Sequence, residues 1–426
     1  MRKNQQIGLA SVATALTVAI AGSASGATPH HTTGAAAGDR PTAAASAIAP
    51  PVTVTTNTLG KRARGDIFVA PYGTSPTYTS GAEILSPDGK KVVWYHPAAA
   101  GSTIADFRTQ TYRGKPVLTF WQGTGLGGLA TGTDYIYNDR YRKIAEVHAG
   151  NGQTADGHEF LITKKNTALV LAYEKSTADL TSIGGPANQT VINGVAQEID
   201  IRTGKVLFEW NSADHVPYSE SEQPLPASAS TPWDWFHINA VKVDSHGDLL
   251  IDARNTWTAY DVDRRTGDIN WKLGGKDSSF TLKAADGTTL NDAGRIFAWQ
   301  HDAEDHGHGL FTVFDNESAG VANTGANAQS SLDRSRSVAI RLDTKARTAT
   351  LVKEYDEPAT ELAPSQGNTQ LLGNGDVFTG WGALPRVSEF DRAGHVVFDA
   401  SYPDGFVSYR AYRHAWQPAK KHAPGN

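Results

Sequence analysis

Three histidines occupy matching places in the chain, each at or just ahead of an apolar run. They are His158 in DGHEFLIT, His237 in FHINAVKV and His301 in WQHDAED. Imidazole acts as a nucleophile, acid or base near neutral pH. Arg254, in DARN, adds a rigid guanidinium fork that fits a tetrahedral oxyanion such as sulfate or phosphate. A single histidine at such a place is usually structural, but three in successive units favour a function in group transfer.

The stretch around His237 and Arg254 predicts one complete unit of antiparallel sheet. Aliphatic residues and Trp alternate with polar residues, and Gly, Ser and Asn separate the runs. These patterns predict four strands, at Phe236–Val243, Asp248–Arg254, Thr258–Asp263 and Asp268–Leu273. A four-stranded meander of this kind is one blade of a β-propeller, and it needs neighbouring blades to bury its faces.

An Asp-x-x-x-Gly-like signature recurs six times along the chain, at the turn before each predicted fourth strand. Four copies carry glycine (Gly89, Gly204, Gly267 and Gly394), and two carry Arg142 and Ala346 instead. The repeat predicts an all-β protein, a six-bladed β-propeller of four-stranded antiparallel blades. A large β-sandwich is the alternative, because Asp-x-x-Gly turns are common there too. In a propeller the first strand of each blade lines the central channel, so the three histidines and Arg254 would meet at one end of it.

Composition predicts the domain boundaries. Residues 1–27 read as a secretory signal peptide, with Arg2 and Lys3 ahead of an apolar run and small residues at its end. The Ala-, Thr-, Gly- and Pro-rich residues 28–54 read as a disordered linker. The propeller is expected over 55–417, with a flexible tail at 418–426. The chain is therefore expected to be secreted, with no membrane span.

Charge and cysteine content exclude several classes. The chain has no cysteine and a formal net charge of −5. The chain therefore has no disulfide framework and no formylglycine sulfatase motif. It also has no basic stripe of the kind that would indicate binding to nucleic acid. There is no Walker loop or Gly-rich nucleotide cradle, and no cofactor is expected. The sequence does not predict an oligomeric state.

Residues flanking the histidines are candidates for substrate binding. Trp235, Phe236 and Trp299 could stack on an aromatic substrate, although wedges between blades are an equally good interpretation. Blade six has Gln366 or Asn368 at the position that corresponds to the histidines, and Asn368 is the one predicted to bind substrate. A cluster of acidic residues and histidines around EDHGHGL could bind metal, but a solvated hairpin is favoured and no metal is predicted. The cluster comprises Asp302, Glu304, Asp305, His306 and His308.

These strings resemble one family. DGHEFLIT, the stretch from DWFHINAV to NWKLGG, WQHDAEDHGHGLFTVFDN and GNTQLLGNGDVFTGWG are similar to the actinobacterial and fungal branch of the arylsulfotransferase (ASST) family. The resemblance covers most of Asp66 to Tyr402 and implies a six-bladed propeller. It also implies transfer of a sulfuryl group from an aryl sulfate ester to a phenolic acceptor, without the nucleotide donor PAPS. Enterobacterial members carry an extra N-terminal β-sandwich and a disulfide, which this chain lacks.

The resemblance assigns roles to the four candidate residues. His301 matches the nucleophile that forms a sulfohistidine in a ping-pong mechanism. Arg254, His158 and His237 match groups that contact the sulfuryl oxygens, and a protonated His237 would assist the leaving phenol. Two rival functions remain: a non-catalytic secreted propeller that binds a glycan or phenolic ligand, and an aryl sulfate hydrolase in which water replaces the acceptor. A quinone-dependent dehydrogenase propeller is disfavoured, because that class has eight blades.

Overall fold

The computed structural model describes residues 47–126, 129–320, 324 and 331–419. They belong to one structural unit that starts at Ala47. The predicted signal peptide, the predicted linker up to residue 46 and residues 420–426 of the predicted tail lie outside the described residues.

Strands dominate the described chain. In chain order the first eight are β1 (Thr53–Asn57), β2 (Asp66–Gly73), β3 (Gly81–Leu85), β4 (Val92–Pro97), β5 (Thr103–Tyr112), β6 (Lys115–Thr124), β7 (Thr131–Tyr137) and β8 (Lys143–Val147). The next nine are β9 (Phe160–Ile162), β10 (Thr167–Ala178), β11 (Gln189–Asp200), β12 (Val206–Asn211), β13 (Trp233–Asp234), β14 (Ile238–Val243), β15 (Leu249–Ala253), β16 (Thr258–Val262) and β17 (Ile269–Gly274). The last ten are β18 (Thr281–Lys283), β19 (His301–Asp305), β20 (Leu310–Asp315), β21 (Arg336–Asp343), β22 (Thr348–Asp356), β23 (Asn368–Leu371), β24 (Val377–Gly380), β25 (Arg386–Phe390), β26 (Val396–Ser401) and β27 (Phe406–His414).

The described strands form six sheets, which are the six blades of a β-propeller and confirm the predicted fold. From the channel outwards, blade one is β27-β2-β3-β4, blade two β5-β6-β7-β8 and blade three β9-β10-β11-β12. Blade four is β14-β15-β16-β17, blade five β19-β20-β21-β22-β18 and blade six β23-β24-β25-β26-β1. The four strands predicted for blade four match β14 to β17 to within two residues at each end.

Both ends of the described chain close the ring. The C-terminal strand β27 is the inner strand of blade one, where His414 pairs with Asp66 of β2. The N-terminal strand β1 is the outer strand of blade six, where Thr53 pairs with Ser401. The run DIFVAPYG forms β2, the second strand of blade one from the channel. Strand β1 begins at Thr53, so the last two residues of the stretch predicted as a linker, 53 and 54, belong to blade six. Hairpin patterns are local, so they carry no information on pairings between opposite ends of the chain.

The recurring signature has a local cause at the outer hairpins. The Asp263 carboxylate accepts the N–H groups of Arg265 (2.8 Å) and Thr266 (2.9 Å), and Gly267 then takes φ 84°. This is the Asx turn, in which a short carboxylate replaces a backbone acceptor and the next residues turn left-handed. In the two copies without glycine, the positive φ falls at Tyr141 and Arg347. The prediction that Arg142 and Ala346 occupy the glycine position of the turn was therefore wrong by one residue.

Apolar faces of adjacent blades make the core. Leu171 and Trp210 of blade three pack with Ile251 and Tyr260 of blade four, and all four are at most 1 % exposed. Burying each such side chain stabilises the fold by about 1.5–3 kcal/mol. The blades are therefore rigid supports for whatever their inner strands carry. Among the described residues, no helix is long and apolar enough to cross a membrane.

Candidate active site

One small cavity collects the predicted catalytic residues at the end of the channel where the inner strands begin. His158 precedes β9, His237 directly precedes β14, and His301 is the first residue of β19. Arg254 lies in a 3₁₀ turn (Arg254–Thr256) that follows β15. The cavity has a volume of about 140 Å³. Its lining residues are His158, Gln223, Asp234, His237, Arg254, Asn255, His301, Ser365, Gln366 and Tyr409.

His301 is held as a neutral imidazole with one nitrogen lone pair on Nε2. The amide group of Asn316 donates to the carbonyls of Ala363 (2.9 Å) and Gln366 (3.0 Å), so its Oδ1 faces Nδ1 of His301 at 2.7 Å. Nδ1 therefore carries the proton and donates it to Asn316, while Nε2 accepts the backbone N–H of Gln366 at 3.1 Å. Burial, with the nearby charge of Arg254, lowers the pKa of His301 well below its ordinary value. At neutral pH the ring is a potential nucleophile rather than a cation.

His237 and His158 each form a dyad with a carboxylate. Nδ1 of His237 bonds to Asp234, and Nδ1 of His158 bonds to Asp156, which leaves Nε2 of both rings for a ligand. The two rings lie perpendicular, with centroids 5.1 Å apart. Burial lowers the pKa of His237, against the opposing effect of Asp234. In the free protein His237 is therefore neutral at pH 7.

Arg254 is a buried cation without an ion pair. It is 2 % exposed, and no carboxylate of the described residues lies within 4.0 Å of its guanidinium. Its nitrogens donate to Asn255 Oδ1 (3.0 Å) and to the carbonyls of Ala319 (3.2 Å) and Pro364 (2.9 Å), and the guanidinium lies 5.4 Å from the ring centre of Trp299. Within the part of the chain that the structure describes, Nε of Arg254 has no hydrogen-bond partner. Burial lowers the pKa of Arg254 to about 10, so the group stays charged at neutral pH.

The predicted substrate-binding residues are not on the cavity. Trp235, Phe236 and Trp299 are each 0 % exposed and pack in the core. The indole N–H of Trp235 bonds to Asn193 at 3.1 Å, and Trp299 lies beneath Arg254. The interpretation as wedges and supports therefore replaces that of stacking surfaces. All three aromatic residues precede the inner strands β14 and β19, and His237 and Trp299 have positive φ, so strand alternation does not decide which way these side chains point.

Asn368 is also structural. Its amide exchanges hydrogen bonds with the backbone of Ala411 in β27, at 2.8 Å in each direction. It thereby ties blade six to the strand that closes blade one. Of the two residues considered for the position that corresponds to the histidines, it is Gln366 that lines the cavity. Gln366 has φ 66°, and His237 has φ 52°, which are uncommon backbone conformations for residues other than glycine.

Sequence reasoning missed the groups that orient the histidines. Asp156 and Asp234 precede their histidines by two and three residues in DGH and DWFH, and this spacing was visible in the sequence. Asn316 and Tyr409 come from distant segments, and no local signal links them to the site.

Next to the cavity along the inner strands lies a cluster of six buried charges, which we call the central ion network. Its members are Asp106, Arg108, Glu159, Lys242, Asp302 and Arg410. The Glu159 carboxylate receives Lys242 at 2.7 Å and Arg410 at 2.9 Å, and it also pairs with Arg108. Burial opposes ionisation of Glu159, but these three cations outweigh it and hold its pKa below the ordinary value.

Strand irregularities place the two aspartates of this network. The pairing of β5 with β6 shifts between Ala105 and Arg108, and that of β19 with β20 shifts between His301 and Glu304. Asp106 (φ 51°) and Asp302 (φ 58°) lie in these bulges. A β-bulge changes the direction of a side chain, and here it allows both carboxylates to bond Arg410, at 3.3 and 3.5 Å.

The residues considered as a metal cluster do not come together. Asp302 belongs to the ion network, and Nε2 of His306 bonds to Thr312 at 2.8 Å. Asp305 lies instead beside Asp244 and His246, with potential ligand atoms within 4.8 Å of one another. Asp244 already accepts several N–H groups of its own turn, from His246 to Asp248, which is a structural role.

Comparison with known proteins assigns the family. Curated proteins show no match to this chain. Similar solved structures include a protein of unknown function from Bacteroides caccae, with 13 % identity and a TM-score of 0.45 over 82 % of this chain and 98 % of that one. A catalytically inactive virginiamycin B lyase from Staphylococcus aureus shows 9 % identity and a TM-score of 0.38 over 83 % of this chain and 88 % of that one. Scores this low carry no inference about function. The family model for arylsulfotransferase (ASST), in contrast, matches residues 108–403, from β5 through β26, and includes all four residues predicted as catalytic. The chain therefore belongs to the arylsulfotransferase (ASST) family.

Proposed function

We propose that this chain is a secreted, PAPS-independent aryl-sulfate sulfotransferase of the actinobacterial and fungal branch, and that it works through a sulfohistidine at His301. One observation carries the proposal. A neutral His301, with its lone pair on Nε2, shares a 140 Å³ cavity with Arg254, a buried cation without an ion pair. A nucleophile next to an unmatched positive charge suits attack on an anionic ester.

The lining of the cavity suits the group that is transferred. The cavity, of about 140 Å³, is bounded by the three imidazoles and by the guanidinium of Arg254. A cationic guanidinium and imidazole N–H groups are partners for an anionic sulfuryl group. The site would therefore select this group through its charge.

In the first half-reaction, Nε2 of His301 attacks sulfur in line with the ester oxygen. The N–S bond forms as the S–O bond breaks, and the electron pair leaves with the phenolate. Arg254 stabilises the sulfuryl oxygens. The backbone N–H of Gln366, which bonds Nε2 in the free protein, would lie beside those oxygens once Nε2 is bonded to sulfur. It would serve as a further donor.

In the second half-reaction, the acceptor phenol attacks the sulfohistidine and must lose a proton. His237 is neutral, and its Nδ1 is held by Asp234, so its Nε2 would accept that proton. The protonated ring would then return the proton to the leaving phenolate of the next cycle. Transfer of the sulfuryl group would thus be balanced by transfer of one proton in the opposite direction. The low pKa of His237 makes it a base first, and an acid only after it has taken up this proton.

A transfer assay tests the proposal. Purified protein is mixed with 4-nitrophenyl sulfate, with and without phenol, and nitrophenolate release is followed. We expect release that requires phenol and is lost in His301→Ala by a factor on the order of 10⁵ or more, as for removal of a covalent nucleophile. Intact mass at alkaline pH, recorded with donor alone, should show one added SO₃ group on the wild type only. His395→Ala, on an exposed hairpin, is the matched control.

The same assay separates the two rival functions. Release at the same rate without phenol, and without a stable SO₃ adduct, would indicate an aryl sulfate hydrolase. No release from a panel of aryl sulfates would overturn the proposal in favour of a binding propeller. Secretion is tested separately, by the N-terminal sequence of the protein recovered from culture medium.

A further inference from the structure

The end of the channel opposite the histidine cavity carries a concentration of positive charge. Each inner strand runs from the histidine end to this end, so that His158 precedes β9 and Lys164 follows it. Four hairpins of blades two and three lie at this end, at residues 112–115, 138–143, 163–167 and 200–205. They hold nine cations and two carboxylates, and we call them the basic hairpins. Because the cations are spread over four segments, they form no stripe in the sequence.

The charge of the basic hairpins is not neutralised by neighbouring carboxylates. Blade two contributes Arg113, Lys115, Arg140, Arg142 and Lys143, and blade three contributes Lys164, Lys165, Arg202 and Lys205. All nine residues are exposed. Lys143 pairs with Glu146, whereas no carboxylate of the described residues lies within 4.0 Å of the charged nitrogens of the other eight. This positive patch belongs to a chain whose formal net charge is −5.

The turns themselves do not require these cations. In the β11–β12 hairpin, the Asp200 carboxylate accepts the N–H groups of Arg202 and Thr203, each at 2.9 Å. Turn formation therefore needs the aspartate and leaves the charge of the other positions free. Four cations and six carboxylates occupy the corresponding hairpins of blades four and five, at residues 244–248, 263–268, 305–309 and 343–347. Since like charges repel one another, the excess on blades two and three favours an anionic partner.

A groove of about 450 Å³ lies between the basic hairpins of the two blades. The charged residues on its lining are Arg113, Lys115, Arg202 and, with opposite sign, Asp139. The buried side chains of Val117 and Ile201 add apolar surface to the lining. The blade-two hairpin is held against blade three, because the N–H of Arg113 donates to the side chain of Asn166. The groove thus combines three cations with an apolar surface.

Two features of the hairpins distinguish among anionic partners. Proteins bind single-stranded nucleic acid by stacking its bases on open aromatic rings. Here Tyr112 is 8 % exposed, with Arg113 over its ring, and Tyr141 stacks on Trp94 at 5.0 Å. Binding at a membrane surface uses large apolar side chains that enter the lipid. None of the described hairpin residues is an exposed large hydrophobic residue, so both features favour a water-soluble polyanion.

We propose that the basic hairpins bind a linear anionic polysaccharide, with one of its sugar units in the groove. Carboxylate or sulfate groups of the polysaccharide accept hydrogen bonds from Arg113 and Arg202, whose guanidinium groups offer two parallel N–H donors, and Lys115 adds a third charge. The sugar ring packs on Val117 and Ile201. This site does not depend on the proposed sulfotransfer, because it lies at the other end of the channel and its test measures binding alone.

Calorimetric titration with defined oligosaccharides tests the proposal. The probes are fragments of heparin, which is sulfated, and of polygalacturonate, which is carboxylated, with dextran as the neutral control. We expect both acidic probes to bind and dextran not to bind. The affinity should fall steeply between about 50 and about 200 mM salt, since binding to a polyanion releases counterions. A wild type that binds neither acidic probe, or that binds dextran equally well, would overturn the proposal.

A pair of triple variants locates the site. The variant Arg113→Gln, Lys115→Gln, Arg202→Gln should weaken binding by about tenfold or more and flatten its dependence on salt, since fewer counterions are released. The control variant Arg265→Gln, Lys345→Gln, Arg347→Gln removes the same number of charges from the hairpins of blades four and five. It should change the affinity less than about twofold, because charges far from the bound chain are screened. Equal losses in the two variants would show that overall charge, and not the groove, decides binding.

Amide hydrogen exchange places the ligand without mutation. With polygalacturonate fragments bound, exchange should slow at residues 112–117 and 200–205 and stay the same at residues 263–268. Protection confined to other segments would contradict the proposal. An oligonucleotide and vesicles with phosphatidylserine are titrated at the same salt concentration. Tighter binding to either than to both acidic polysaccharides would replace the proposed ligand by a nucleic acid or by a membrane.

Discussion

The histidine cavity and the central ion network lie in the same channel and on the same strands, and they differ in how their charges are matched. In the network, three cations face three carboxylates, and Glu159 alone pairs with Arg108, Lys242 and Arg410. In the cavity, Arg254 has no ion pair with any of the described residues, and open space lies beside it.

This difference separates a structural use of charge from a functional one. The balanced network ties together the inner segments of five of the six blades, and each of its cations already has a carboxylate partner. An unmatched buried cation is costly to the fold unless a ligand supplies the counter-charge. Removal of a charge from the network should therefore mainly lower the stability of the protein, whereas removal of the Arg254 charge should mainly lower its activity.

The largest effect is expected on stability, from breaking the network. Glu159→Gln leaves three buried cations facing two carboxylates, and we expect it to lower the free energy of unfolding by about 3–5 kcal/mol. Urea unfolding followed by tryptophan fluorescence measures this. Glu354→Gln removes an ion pair of a half-exposed carboxylate and should cost less than about 1 kcal/mol. Equal losses in the two variants would remove the distinction between matched and exposed pairs.

Arg254→Met is expected to lower the catalytic rate more than the stability. Loss of the charge that faces the sulfuryl oxygens should lower kcat/KM for 4-nitrophenyl sulfate by about 10²–10³. The free energy of unfolding should fall less than in a variant that breaks a matched pair, because removal of the unmatched charge offsets the loss of hydrogen bonds to the carbonyls of Ala319 and Pro364. Arg410→Met is the paired control, since that charge is matched and its loss should destabilise the protein. A large loss of stability in Arg254→Met would show that its role is structural.

Anion binding at the cavity should depend on pH. Burial holds the pKa of His237 below 6.5, so the free ring is neutral at pH 7.5, and an anion favours its protonated form. Binding of sulfate should then take up a proton, and its affinity should fall by up to about tenfold per pH unit as the pH rises. Calorimetry in two buffers of different ionisation enthalpy measures the uptake. His237→Gln should reduce it, and wild-type binding without proton uptake would contradict this account.

The smallest effect concerns the support of the Gln366 segment. The hydroxyl of Tyr72 donates to the Gln366 side chain at 2.8 Å. Tyr72→Phe should cost about 0.5–1.5 kcal/mol of stability and less than tenfold in transfer rate. Rate and unfolding measurements on the same preparation check both. A rate loss as large as that of Arg254→Met would mean that the position of the Gln366 N–H dominates catalysis.

Much of the fold could be predicted from local patterns. Asp263, Thr266 and Gly267 recur as a turn because an Asp carboxylate and a left-handed residue are needed there, whatever the rest of the chain does. Counting such turns predicted six blades. Closure of the ring by β1 and β27 could not be predicted in this way, because it depends on pairings such as Thr53 with Ser401 and Asp66 with His414.

The candidate site, like the fold, could be predicted from the sequence only in part. Equivalent positions in successive blades predicted that His158, His237 and His301 lie close together. In the structure all three line one cavity, together with Arg254. The prediction for the aromatic neighbours was wrong, because Trp235 and Trp299 lie in irregular segments ahead of the strands, where no periodic pattern shows that their side chains enter the core.

By itself, the sequence determined the repeat, the blade count and the register of the histidines, since these depend on residues close together in the chain. Only the tertiary structure decided their chemistry. The neutrality of His301 requires burial and the nearby charge of Arg254, and its tautomer requires Asn316, which comes from a separate segment. Electrostatic environment and cavity shape act through space, so they depend on which distant residues meet.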